Sequence, residues 1–310
     1  MKKGTLIIFC GFVASSLLIS CETNLELDAT NVPQKTVVNT SFEVGQPIRV
    51  VVTQSRNPFD NVQVEYLSDA IVKLYESDTE LEQFQPKDRE LNTDYPYFES
   101  RFKPKANVTY TLKVYTSNGD SILSSDAAPR KIIPSNLTHT NFQINTIPSK
   151  PSVEVYSTSA SLSFTDRPDE DNYFHIKGYA EILDIEAGDT LYETPRLIEV
   201  SLNALYNSGT IFKHHNGGLL LDDKTNNGGI FNIPFAFVSG ELNTTSTYCK
   251  RFLVELRTVS NAYYQYQTSV SKQLTANNPL SDPTLVYNNI QNGLGIFAGY
   301  SSSTQELIVR

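Results

Sequence analysis

The stretch Val108-Thr109-Tyr110-Thr111-Leu112-Lys113-Val114-Tyr115-Thr116 alternates strictly between apolar and polar side chains. Successive residues of a strand point to opposite faces, so Val108, Tyr110, Leu112 and Val114 share a buried face while Thr109, Thr111 and Lys113 face water. A helix would scatter the same residues around its circumference. Ser-Asn-Gly-Asp then supplies a turn, and the segment reads as an antiparallel strand entering a hairpin. The same period recurs elsewhere. Ile48, Val50 and Val52 share one face, as do Ala70, Val72 and Leu74, and Phe174, Ile176, Ala180 and Ile182. IFNIPFAFV and YCKRFLVELRTV read as well-buried strands, with Pro234 demanding an edge or a bulge in the first.

These runs are short, bounded by Gly, Pro, Asn and Asp, and set in a chain with 17 Tyr and 16 Phe, the pattern of sandwiches and barrels. The expected fold is all-β. An immunoglobulin-like sandwich over residues 30–133 precedes a larger sandwich-like domain over 134–310. The proline-bearing stretches APRKIIPSN and NTIPSKPSV mark the crossing between them. One helix is predicted over 261–274, with Ser260 as N-cap and Tyr263, Tyr266, Val270 and Leu274 on its packed face.

The amino terminus gives an address. Lys2 and Lys3 precede an apolar run from about Leu6 to Ile19, shorter than the ~20 residues a bilayer span needs, which is the layout of a secretory signal over 1–20. Leu18-Ile19-Ser20-Cys21 resembles a bacterial lipobox, which implies acylation at Cys21 and a tether over 21–29. Two or more acyl chains there would anchor the protein without a membrane span. Loss of Lys2 and Lys3 takes the formal charge from −9 to −11, which argues against nucleic acid as a partner. Glu22, Glu26 and Asp28 loosely resemble the export signal of surface-exposed Bacteroidota lipoproteins. With Cys10 in the signal and Cys21 lipidated, Cys249 has no internal disulfide partner. Alternation sets it on the face of Leu253, as a buried thiol.

Residues that could carry chemistry are few. Of His139, His175, His214 and His215, His175 alternates with Lys177 on the outward, solvated face of its strand. Adjacent His214 and His215 point to opposite sides of an extended chain, unlike the i, i+4 pair of a zinc helix. No nucleophile elbow, P-loop or dinucleotide fingerprint occurs, so neither an enzyme nor a cofactor is expected. Two acidic loops are the candidate cation sites: Asp166, Asp169 and Asp171 in DRPDEDNY, and Asp223 in DDKTNNGG. The second mimics positions 1, 3, 5 and 6 of an EF-hand, but position 12 is Pro234, which cannot ligate. Structural turns explain both loops more simply, and no metal is expected. Asp120-Ser121-Ile122 and Asp189-Thr190-Leu191 resemble the acceptor motif of Bacteroidota O-glycosylation, which makes Ser121 and Thr190 candidate acceptors. The alternative is that both aspartates simply close turns.

The ordered set TVVNTSF, IRVVVTQSR, DAIVKLYE, LSFTDRPDEDNYFHI and LLLDDKTNNGGIF, ending in NNIQNGLGIFAGYSSS, resembles the lipoproteins of domain of unknown function 4249. That resemblance implies an outer-membrane lipoprotein, often encoded beside TonB-dependent receptors, and hence an accessory to such a transporter in substrate capture. It carries over no catalytic residue. The rival reading is a stand-alone glycan- or matrix-binding adhesin, with tyrosines as sugar platforms in a chain that has no Trp. A hydrolase would need Asp169 or Asp171 for its activity, and none is expected. In the terminal motif, Gly293, Gly295 and Gly299 would allow close backbone approach. Ile290, Leu294, Ile296 and Phe297 would anchor it in the core.

Overall fold

In the computed structural model the described residues are 33–57, 63–88, 95–168, 170–186, 190–191, 195–205, 211–275 and 284–309. Among the described residues the structure is mostly β, 59% strand with one helix. The strands are β1 (Thr36–Glu43), β2 (Arg49–Gln54), β3 (Ile71–Glu76), β4 (Thr79–Gln83), β5 (Gln85–Lys87), β6 (Tyr97–Glu99), β7 (Thr109–Tyr115) and β8 (Ser121–Ala127). Then follow β9 (Asn136–Ile147), β10 (Lys150–Thr165), β11 (Tyr173–Glu186), β12 (Thr190–Leu191), β13 (Arg196–Ala204), β14 (Ile211–Lys213) and β15 (Leu219–Asp222). The last are β16 (Ile230–Val238), β17 (Leu242–Asn243), β18 (Thr247–Val259), helix α1 (Asn261–Thr275) and β19 (Leu294–Val309). Everything below belongs to the compact unit of residues 35–55 and 63–310.

A small antiparallel sheet, β4-β3-β7-β8, packs against β1, β2 and β6 of a large mixed sheet. The alternating residues do the work: Val50, Val72, Tyr110 and Val114 are 0% exposed, and burying an aliphatic side chain of this kind stabilises by roughly 1.5–3 kcal/mol. β1 runs parallel to β19, from Val37 opposite Leu294 to Glu43 opposite Tyr300, so the first and last strands share one ladder. Phe297 stacks on Phe42 with ring centroids 4.8 Å apart, and Ile290 joins the same cluster. Leu294, expected as an anchor, is instead 38% exposed, because its side of β19 faces away from that core.

The second core belongs to β10, β11, β13, β16 and β18. β13 pairs with β11 through Arg196–Val200 and with β16 through Ser201–Ala204. It thereby turns a corner, and the sheet folds over until Tyr156 of β10 meets Phe252 of β18 at 5.2 Å. Pro234 is paired to Ser161 but lies just past the end of the β13 ladder, where its missing N–H costs nothing. Cys249 departs from the alternation. A bulge between Glu181–Arg251 and Ile182–Cys249 turns it toward Phe252 and Val254 rather than Leu253, and it is buried there.

Helix α1 begins where predicted, with Tyr263 N–H donating to Ser260 Oγ at 3.2 Å. Its packed face agrees only in part, with Tyr263 buried in a cluster that Tyr266 packs against. Ala262, Tyr263, Tyr264 and Ser271 are buried while Leu274 is 61% exposed. The helix docks by its amino-terminal half, where Tyr264 lies on Tyr173 with centroids 4.8 Å apart, and its last turn clears the sheet. Among the described residues no helix is long and apolar enough to cross a membrane.

Candidate functional site

Helix α1 covers the face of β11 and β18 opposite the second core. That face carries His175, Lys177, Tyr179, Glu255 and Arg257, which alternate with the core residues Phe174, Ile176, Val254 and Leu256. The helix seals it from water, so His175, expected to be solvated, is 1% exposed and its Nδ1 lies 3.0 Å from Tyr263 Oη. Arg257 pairs with Glu255 at 3.0 Å and donates to the hydroxyls of Tyr263 (3.3 Å) and Tyr179 (3.2 Å). Its guanidinium lies 4.3 Å from the Tyr300 ring centre, and the Tyr179 hydroxyl donates to Glu255 at 2.9 Å. Burial works against the charge on Arg257, but Tyr263, Tyr300 and Glu255 outweigh it and hold its proton more firmly than usual.

The histidine pair lies in a tight turn, not an extended chain, and its rings come together at 4.1 Å, with His175 and His214 at 4.8 Å. His214 Nε2 lies 2.9 Å from Gln267 Oε1 and His215 Nδ1 3.0 Å from Ser271 Oγ. Gly218 is required here, since a Cβ on it would lie 2.4 Å from His175 Nε2. Among the described residues no group of three or more His, Cys, Asp or Glu is placed to hold a metal ion. Burial is the largest cause that lowers the pKa of all three rings, His214 to about 4, and it outweighs the opposing Gln267 hydrogen bond at His214 and Glu199 near His215.

Acid should therefore unfold the protein through this cluster. The unfolded chain takes up these protons near pH 6.5, whereas the folded chain refuses one at His214 until about pH 4. Stability is then lost as pH falls through that window, by about 3 kcal/mol from His214 alone. Urea midpoints measured from pH 7 to pH 4 should fall, and less steeply in a His214→Gln variant. Parallel curves for the two proteins would contradict the assignment.

Beside the helix the same outer face opens into a cleft of about 320 Å³, lined by Asn39, Arg49, Tyr95, Tyr97, Tyr266 and their neighbours. Tyr97 is buried to 3% exposure under the Arg49 guanidinium, 5.1 Å from its ring centre, and Arg49 is tied to Glu99 at 2.7 Å. Tyr266 Oη donates to Asn39 Oδ1 at 3.5 Å, and Tyr95, at the rim, stacks at 6.1 Å on Tyr66. Aromatic walls with a few fixed polar groups form a pocket that can hold a small molecule in one orientation. The chemistry it offers is binding.

The two acidic loops meet. Gly228 N–H donates to Asp166 Oδ2 at 3.0 Å, and Asn172 N–H to Asp223 Oδ2 at 2.8 Å. Each carboxylate thus satisfies a backbone donor of a turn. Burial, and then Asp223 beside it, raises the pKa of Asp166. Asp171 is exposed, and Asp169 lies outside the described residues. Ser121 is exposed at the start of β8. The Asp120 carboxylate before it accepts from Thr36 Oγ1 at 2.8 Å, and its N–H donates to Thr116 Oγ1 at 3.2 Å. Thr190 lies in β12, paired with Glu186, while Gly188, Asp189 and Cys21 lie outside the described residues.

The family described as "Domain of unknown function (DUF4249)" matches residues 22–306. No curated protein matches the chain. Among solved structures, the B domain of a biofilm-associated protein aligns at 7% identity over 87% of this chain and 85% of that one. Its TM-score of 0.16 is too low to bear on the fold.

Proposed function

This chain belongs to the DUF4249 family, and from that premise we propose a non-enzymatic lipoprotein of the outer-membrane surface that captures substrate for a TonB-dependent transporter. Cys21 carries the lipid. The observation that carries the capture role is the tyrosine cleft, preformed by side chains that are already fixed: Tyr97 by Arg49, Arg49 by Glu99, and Tyr266 by Asn39. A site organised in advance loses less entropy on binding than one that must order itself. The lipobox and the acidic residues after Cys21 support the address.

Affinity purification of the intact protein from gently solubilised outer membranes tests the partnership. A β-barrel receptor should co-elute reproducibly, and its consistent absence would count against the reading. The same cleft favours a second reading, a glycan-binding adhesin that works alone, because three tyrosines line it. Glycan binding by the protein without any receptor would favour that second reading.

A further inference from the structure

A second hollow, about 650 Å³, opens near the segment that leads from β8 into β9. Arg130, Lys131 and Arg167 line it, a concentration of positive charge in a chain of net charge −9. Arg167 is held in place because its Nη2 donates to the carbonyls of Arg130 (3.0 Å) and Lys131 (2.6 Å). The Arg130 and Lys131 side chains have no ion-pair partner among the described residues. One carboxylate, Glu43, also lines the hollow, and it accepts the hydroxyls of Ser302 and Tyr300. Glu170, 3.7 Å from Arg167, stands outside the lining.

Two features indicate more than a patch of charge. Ser301 is 2% exposed and lines the hollow, yet its Oγ has no hydrogen-bond partner among the described residues. A buried hydroxyl left unpaired costs free energy that a bound acceptor would recover. Beside it, Ile133 is 67% exposed on the lining with Val44, an apolar wall next to the cations.

We propose that this groove binds a phosphate monoester carried on a hydrocarbon body. Three cations against Glu43 and the Arg167-paired Glu170 leave one net positive charge, which attracts the charge of about −1.5 to −2 on such an ester at pH 7. The phosphate oxygens meet the guanidinium forks, the Lys131 ammonium and the Ser301 hydroxyl, and the hydrocarbon lies along Ile133 and Val44. A soluble ester and the phosphate head of a membrane lipid share this chemistry.

The test uses the full chain in neutral detergent, with thermal midpoints followed in hexyl phosphate, inorganic phosphate and hexanol at matched ionic strength. Hexyl phosphate should raise the midpoint, inorganic phosphate should do so less, and hexanol should not. The Arg130→Ala/Lys131→Ala variant should bind hexyl phosphate at least tenfold more weakly, and Lys131→Glu gives an independent check should the double variant fold poorly. In phosphatidylcholine nanodiscs, added phosphatidic acid abolishes the hexyl phosphate response if the lipid is the source and leaves it intact if a soluble ester is. Unchanged binding by the variants, an equal response to hexanol or sodium chloride, or inorganic phosphate binding as tightly as the hexyl ester would overturn the proposal.

Discussion

Replacing Gly295 by alanine is expected to destabilise the protein by about 3 kcal/mol or more. The residue sits at φ +113°, and a Cβ there would stand 2.1 Å from the carbonyl oxygen of Val38. The obstacle is backbone on the paired strand, so no rotamer change can relieve it. The collision falls in the parallel β1–β19 ladder, where Phe297 and Ile290 close the first core. Gly45 is the internal control, because its φ is +81° but a Cβ would meet nothing within 4 Å. Gly45→Ala should therefore cost only the left-handed strain, about 1–2 kcal/mol. Urea unfolding of both variants separates close approach from conformational preference. Equal losses would mean that β19 does not press on β1.

Arg257→Met should cost about 3–5 kcal/mol, the range for removing one member of a buried ion pair. The loss exceeds the Arg257–Glu255 attraction itself, because the Glu255 carboxylate, 7% exposed, would lose its cation and among the described residues retain only Tyr179 as a donor. Adding Glu255→Gln to Arg257→Met should recover part of the loss, since the orphaned charge is then gone. A single-variant cost below 1 kcal/mol in equilibrium unfolding would show that the helix does not seal this face.

Both networks also show how far the sequence could be read. Alternation located β7, β16 and β18 and assigned Tyr110, Phe174 and Ile176 to cores, because a strand with one buried face writes that face into every second residue. Ser260 announced α1 through capping chemistry that is local in sequence. The failures share a cause. Period two separates the face of Phe174 from that of His175, but it cannot say that a helix 86 residues later will cover the second face. A signal was present in the polar residues on that face, Lys177 and Tyr179 on one strand and Glu255 and Arg257 on another, but only the register that sets Lys177 opposite Glu255 makes them partners. The bulge beside Cys249 and the turn at His214 are likewise irregularities of a single residue. The cleft was hidden most completely. Asn39, Arg49, Tyr97 and Tyr266 come from four elements and say nothing of one another until β19 places α1 beside β1.

The capture role is tested most directly from the rim of that cleft. Tyr95 is 41% exposed there, so a photo-crosslinking residue in its place would report what meets the cleft in living cells, with a second probe at Leu197 (56% exposed) on distant β13 as control. Mass spectrometry of the illuminated adducts should identify a TonB-dependent β-barrel from the Tyr95 position and not from Leu197. Adducts to no barrel at Tyr95, with the protein present at the cell surface, would contradict the account.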